Sequence, residues 1–237
     1  MNCTPQIRCS KRDGGNLGKK MHVFYTNADS LLNKLTELKV ILSRNLYQVI
    51  CITESNLNDD ILKAEIQIPN ISKMYLANRK CGDKGGSIVY VHDTVMAEKL
   101  NIFDGCESLA IKLTLGSTNV ILVCLYRSPS LTVQQNDKLL EKLRLIPDDP
   151  AQNVLIVGDI NLPDVNWHLG TVSAPPDTTN VKLINQQKYM QLFTEKGLTW
   201  FLKDVYSIIQ GGEYMETQFS SPSLTKSLLT MMRLYII

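Results

Sequence analysis

The 237-residue sequence is poor in the groups that mark extracellular or membrane chains. Its six cysteines (Cys3, Cys9, Cys51, Cys81, Cys106, Cys124) include no C-x-x-C pair and no zinc spacing. That usage suits a reducing compartment, and Cys51 and Cys124, inside apolar runs, are expected to be buried small hydrophobes. No window approaches the roughly 18 apolar residues of a membrane span, and the N-terminus has no apolar signal core. These absences predict an intracellular chain, nuclear or cytoplasmic, with no membrane partner. Histidine is scarce too: only His22, His92 and His168 occur, and neither Asp nor His follows Asp204. A net charge of +2 is too small to argue for nucleic acid by itself. Its distribution says more, because Arg8, Lys11, Arg12, Lys19 and Lys20 face one acid, Asp13, in the first twenty residues. Residues 1–20 are expected to form a disordered basic leader able to touch phosphates.

What is present is a mixed α/β pattern. At 44% hydrophobic and 20% charged residues, the composition is that of one globular domain with a sizeable core. Met21–Tyr25 reads as a strand. A helix follows, with Leu31, Leu35, Leu38 and Leu42 on one stripe and Asp29 or Ser30 as its cap. Val49–Ile52 is a buried strand, and 86–91 another beyond a charged, glycine-containing loop. Leu109, Ile111, Leu113 and Leu115 alternate with smaller or polar residues, and Gly116-Ser117 turns them into the apolar run 120–125, giving an antiparallel hairpin. A helix bearing Leu139, Leu140, Leu143 and Ile146 stops at Pro147 and Pro150. Val154–Val157 is a strand buried on two sides. A last helix closes at Gly197, and residues 198–205 read as a strand. Helices covering buried mixed sheets imply a layered sandwich.

The chemistry gathers at strand ends. Asn27 follows the first strand, Glu54 the second, Tyr126 and Arg127 close the hairpin, and Gly158-Asp159-Ile-Asn161-Leu-Pro163 ends the strand from Val154. In an extended backbone Asp159 and Asn161 would point to one face, with Pro163 stopping the strand. A hard cation such as Mg²⁺ takes one or two carboxylates plus water and phosphate oxygens, which Glu54 could begin. Asp159 could orient or deprotonate water, while amides and a tyrosine hydroxyl hold phosphate without adding negative charge. The plainer reading is an Asx turn at Asp159 and Asn161, a solvated strand-end acid at Glu54, a core-edge tyrosine at Tyr126 and a surface arginine at Arg127. Trp167 is expected to pack under its loop.

Five stretches together resemble the endonuclease/exonuclease/phosphatase superfamily, and especially the apurinic-type endonuclease domains of non-LTR (LINE-like) retrotransposons. They are 25–34 (Tyr-Thr-Asn-Ala-Asp-Ser-Leu-Leu-Asn-Lys), 52–55 (Ile-Thr-Glu-Ser), 85–90 (Gly-Gly-Ser-Ile-Val-Tyr), 125–129 (Leu-Tyr-Arg-Ser-Pro) and 158–167. The resemblance covers 21 to about 204 and implies a four-layer α/β sandwich, two mixed sheets face to face with helices outside. It further implies Mg²⁺-dependent nicking of DNA, with Mn²⁺ as a substitute and no small-molecule cofactor. By position, Glu54 resembles the metal ligand and Asn27 its companion. Tyr126 resembles the phosphate-contacting tyrosine, Asp159 the water-activating residue and Asn161 the phosphate-orienting one. Arg127 is a further candidate phosphate or DNA contact.

The departure lies at the C-terminal end. The family completes its site with a strand-borne Asp and then a Ser-Asp-His triplet, and neither stands after Asp204. Residues 205–237 accordingly read as a divergent tail, the chain as truncated, and its catalysis as in question. Three functions stay open at this point. They are a retrotransposon-type endonuclease, a catalytically dead nucleic-acid-binding remnant, and another phosphoesterase of the same fold acting on an inositol phosphate or sphingolipid.

Overall fold

The computed structural model describes residues 21–44, 47–69, 71–79, 84–149, 152–167, 169–173, 181–201, 207–209, 212–219 and 233–236, with the backbone alone from residue 199 onward. The basic leader expected over residues 1–20, and His168, lie outside them.

Two six-stranded mixed sheets organise the chain. The first has the order β12-β13-β1-β2-β4-β3, from β1 (Met21–Asn27), β2 (Val49–Thr53), β3 (Lys73–Ala77), β4 (Ser87–Val91), β12 (Ser207–Ile209) and β13 (Gly212–Phe219). The second has the order β11-β14-β8-β7-β6-β5, from β5 (Met96–Leu100), β6 (Leu109–Leu115), β7 (Thr118–Tyr126), β8 (Asn153–Asp159), β11 (Thr199–Phe201) and β14 (Arg233–Ile236). A short ribbon of β9 (Val165–Asn166) and β10 (Thr171–Val172) follows β8. The helices are α1 (Leu31–Arg44), α2 (Val133–Arg144) and α3 (Val181–Glu195).

The apolar runs explain the layering. Strand side chains alternate between faces, so a strand apolar at every position must be buried on both. In β1, Val23 and Tyr25 enter the core between the sheets while Phe24 packs outward with Leu31, Leu35 and Leu38 of α1. In β8, Leu155 and Val157 face the other sheet, whereas Val154 and Ile156 meet Leu139, Leu143 and Phe193 of α2 and α3. Three separate apolar clusters therefore alternate with the two sheets, and the result is the expected four-layer sandwich. Cys51 and Cys124 are both free and buried in the central cluster. Trp167 packs at the margin of the cluster under α2 and α3.

Some local expectations change. At the start of α1 the backbone amides of Ser30 and Leu31 donate to the carbonyls of Glu54 and Ser55, both at 3.0 Å. The helix start is thus tied to the loop after β2. Gly197 does close α3: its φ is 61°, and the amides of Gly197 and Leu198 return to the carbonyls of Thr194 and Phe193. Strands β3 and β5 carry no readable pattern, since both are sheet edges with few fully buried side chains. Strands from the segment read as a divergent tail stand in both sheets. β13 runs antiparallel to β1, and β14 lies parallel to β8. Among the described residues, no helix is long and apolar enough to cross a membrane.

Candidate active site

One end of the sandwich collects the polar residues. β1 and β2 run parallel in one sheet, with Asn27 paired beside Thr53, while β7 and β8 run parallel in the other, with Tyr126 paired beside Asp159. Because parallel strands deliver their C-terminal ends to the same edge, Asn27, Glu54, Tyr126 and Asp159 emerge together. Three links then cross from sheet to sheet. Asn27 Nδ2 donates to Asp159 Oδ2 at 3.1 Å. The Tyr126 hydroxyl donates to Glu54 Oε1 at 3.3 Å. Gly86 N–H, just before β4, donates to Glu107 Oε2 at 2.7 Å.

The backbone around these residues is strained. The described residues other than glycine with positive φ are Asp29 (38°), Ser30 (90°), Glu54 (49°), Asn56 (51°) and Asn161 (49°), all in the loops at this end. Left-handed conformation costs such residues of order 1–2 kcal/mol each, and it concentrates where side chains are aimed rather than merely packed. Gly158 has φ 153°, and a Cβ there would lie 1.8 Å from the Leu125 carbonyl oxygen. Only glycine lets β8 reach the site beside β7.

Asp159 is the focus. It is 9% exposed, and it accepts from Asn27 Nδ2 through one oxygen and from the Asn161 backbone amide, at 3.1 Å, through the other. Burial pushes its carboxyl up to about 6; Glu54 acts in the same direction, and the bonds from Asn161 and Asn27 oppose both. The Asx turn of the plainer reading is therefore present, but it serves to aim the carboxylate at a shared site. Asn27 makes a matching turn, its Oδ1 accepting from Asp29 N–H at 3.1 Å. Asn161 is not an extension of the strand, which stops at Asp159, and its left-handed φ replaces the expected extended geometry. Its Nδ2 donates to the Arg127 carbonyl at 3.1 Å. Burial first, then Glu54 and Glu107, raise the Tyr126 hydroxyl above its usual range, so it stays a proton donor.

Arg127 departs from the expectation of a phosphate contact. It is 7% exposed and points inward. Its Nε donates to Asn136 Oδ1 at 2.9 Å, and one terminal nitrogen reaches the carbonyls of Ile160 at 3.3 Å and Asn161 at 2.8 Å. The guanidinium also lies 5.6 Å from the Tyr189 ring centroid. Buried carbonyls need donors, and a planar fork can satisfy several at once. Arg127 holds the loop after β8 from below.

Glu107, Ser108 and Arg79 were not anticipated. Glu107 Oε1 accepts from Arg79 Nε at 2.9 Å, and its carbonyl accepts from Ser87 Oγ at 2.6 Å. Ser108 Oγ receives the Tyr126 amide at 3.0 Å. The pair Gly85-Gly86 was the available hint: a Cβ on Gly85 would lie 2.2 Å from Glu107 Oε2. The two described histidines with known places do not help the site. His22 is the second residue of β1, and His92 follows β4, both at the ends of their strands away from the site.

The donor set suits a hard cation. Among the described residues no group of three His, Cys, Asp or Glu side chains stands ready for a metal, which argues against a closed structural zinc site. One or two carboxylates with open positions is what Mg²⁺ uses beside water and phosphate oxygens. Burial is the main cause of the raised Asp159 carboxyl and the Glu54 charge adds to it, so a cation beside them would favour the ionised form.

No protein-family model matches the sequence, and no curated protein matches it. Solved structures do. The chain is similar to a 3′ phosphatase, NExo, from Neisseria bound to a product DNA hairpin, at 16% identity and TM-score 0.51, over 76% of this chain and 72% of that one. It is similar to the AP endonuclease LMAP from Leishmania major at 13% identity and TM-score 0.54, over 75% and 67% respectively. It is also similar to the endonuclease domain of TRAS1, a telomere-specific non-LTR retrotransposon, at 11% identity and TM-score 0.52, over 76% and 74%. At such identities the likeness speaks for architecture, and it agrees with the two mixed sheets and flanking helices: this chain has the endonuclease/exonuclease/phosphatase fold.

Proposed function

We propose that the chain is a divalent-metal-dependent phosphodiesterase acting on DNA, a nicking endonuclease of the retrotransposon type. The observation that carries this reading is the convergence of Asn27, Glu54, Tyr126, Asp159 and Asn161 at one end of the fold, linked across both sheets. The fold neighbours include an AP endonuclease, a retrotransposon endonuclease domain and a 3′ phosphatase bound to a DNA hairpin, which favours DNA over a lipid or inositol substrate.

In this reading Glu54 would hold Mg²⁺ or Mn²⁺, whose positive charge would stabilise the charge developing on a phosphate oxygen. The chain's own residues do the rest. Asp159, aimed by Asn27 and by the Asn161 amide, accepts a proton from the attacking water through a carboxylate oxygen. Tyr126 donates its hydroxyl to a non-bridging phosphate oxygen when substrate displaces its bond to Glu54. Asn161 offers its second amide proton to the same phosphate. Attack by water would break the P–O3′ bond and leave a 5′-phosphate and a 3′-oxygen that takes its proton from solvent, a 3′-hydroxyl able to prime DNA synthesis.

A second reading rests on the sequence: neither Asp nor His follows Asp204, and His22 and His92 stand away from the site. It is a DNA-binding protein that does not cut. Incubation of supercoiled plasmid with the purified chain in Mg²⁺ or EDTA, with Asp159→Ala as control, separates the two. The endonuclease reading expects metal-dependent nicking that the substitution abolishes. A folded, DNA-binding chain that leaves plasmid intact in both Mg²⁺ and Mn²⁺ would overturn it in favour of the second.

A further inference from the structure

The site as described has a charge problem. Glu54 and Asp159 are acidic, Asn27, Tyr126 and Asn161 are neutral, and Arg127 is committed to the interior. A polyanion approaching this end meets these two carboxylates and that of Glu107, while Lys84 lies 3.6 Å from the Asp29 carboxylate.

We propose that Arg79 is the guanidinium that binds a DNA backbone phosphate at this site, and that Glu107 positions it. This rests on the reading of the site as DNA-directed. Arg79 follows β3 in the loop toward β4, and its side chain is 23% exposed. Its Nε is fixed on Glu107 Oε1 at 2.9 Å, while its two terminal nitrogens have no partner among the described residues. Glu107 is itself immobilised. Its second oxygen takes the Gly86 amide at 2.7 Å and its carbonyl takes Ser87 Oγ at 2.6 Å. The fork is thus ordered before any ligand arrives, so less conformational entropy is lost on binding.

The surroundings are built to admit this pair. Gly85 stands at φ 126°, and a Cβ there would lie 2.2 Å from Glu107 Oε2 and 2.8 Å from Arg79 Nε. Any side chain at that position would push the pair apart. Ser108, next to Glu107, receives the Tyr126 amide, which ties the pair to the hydroxyl proposed to touch phosphate. Arg79 and Glu107 also lie within electrostatic reach of that hydroxyl.

The test is binding of a short labelled DNA duplex to the full chain in EDTA, by fluorescence anisotropy, across a salt series. Each phosphate contact contributes about 0.9 to the slope of log affinity against log salt. Arg79→Gln is expected to lower that slope by about one and to weaken low-salt binding about tenfold. Arg79→Lys is expected to keep the slope, because it keeps the charge, and to lose roughly threefold in affinity with the fork. An unchanged slope and affinity in a folded Arg79→Gln protein would overturn the inference while leaving the DNA reading intact. If Arg79→Gln does not fold, Arg79→Lys decides: binding equal to the unsubstituted chain overturns the proposal. Failure of the unsubstituted chain to bind or nick DNA would overturn the DNA reading itself, and the Arg79 proposal with it.

Discussion

Asn27 and Asp159 stand on facing sheets, 132 residues apart in sequence, and the amide of one donates to the carboxylate of the other at 3.1 Å. Each residue also closes a local Asx turn, Asn27 onto the amide of Asp29 and Asp159 onto the amide of Asn161. The bond therefore joins two loops that are already shaped. It sets the distance between the sheets where the chemistry would occur, and it places Asp159 near enough to Glu54 for their charges to oppose each other.

The burial of Asp159, with Glu54 adding to it, makes stability depend on pH. Asp159 has a folded-state value near 6, above the 3.8 of an ordinary aspartate, chiefly through burial. The folded chain thus binds this proton more tightly than the unfolded chain does. The stabilising contribution is complete below about pH 4 and is lost as pH rises through about 6. In EDTA, Asp159→Asn should match the unsubstituted chain near pH 4 and exceed it at pH 7 by up to about 2 kcal/mol, less what the altered bond to Asn27 costs. Urea unfolding at the two pH values measures this. A variant no more stable at pH 7 than at pH 4, relative to the parent, would show that Asp159 ionises without penalty.

Arg127 should be structural in the strict sense. It supplies donors to the Ile160 and Asn161 carbonyls and to Asn136 Oδ1 in a site closed to water. Arg127→Met keeps much of the volume but leaves those acceptors unsatisfied, at a cost of about 3 kcal/mol. Arg127→Lys should recover only part of that, since one ammonium cannot span the same acceptors. Equilibrium unfolding checks both, and a loss under 1 kcal/mol for Arg127→Met would mean the loop after β8 holds itself.

The sequence made much of this legible, for reasons that can be named. Val154–Val157 and 120–125 are apolar at every position because both faces of those strands are covered, and that pattern implied two sheets with helices outside. Asn27, Glu54, Tyr126 and Asp159 were visible because each follows such a run directly. The direction of Arg127 was not visible, because it depends on Asn136 and Tyr189, which come from two helices remote in sequence. Strands β3 and β5 were missed because edge strands need no alternation. Glu107 and Arg79 escaped because nothing local separates a loop ion pair from a solvated one.

Gly158 offers a sharper mutational test of how the site is assembled. A Cβ at this position would stand 1.8 Å from the Leu125 carbonyl oxygen and 2.7 Å from its carbon, both backbone atoms that cannot swing aside. Gly158→Ala should therefore cost more than about 3 kcal/mol, with the strain added to the clash. It should also displace Asp159, the next residue, so that any nicking falls more steeply than stability does. Unfolding curves and plasmid nicking on the same preparation test this. A variant within 1 kcal/mol of the parent would mean that β8 can shift along β7 without loss.

Glu54 sets function against stability most directly. It holds φ 49°, where asparagine is tolerated far better than glutamate, and its charge opposes that of Asp159. In EDTA, Glu54→Asn should be more stable than the parent by about 0.5–1 kcal/mol, because strain and repulsion both fall while only the 3.3 Å bond from Tyr126 is lost. Added Mg²⁺ should raise the melting temperature of the parent, since a ligand that binds the folded state alone stabilises it by mass action. The variant should show no such rise and no nicking. A destabilised variant would mean that the Tyr126 bond outweighs the strain. A variant that still melted higher with Mg²⁺ would place the metal away from Glu54, and the site would have to be redrawn around Asp159 and its neighbours.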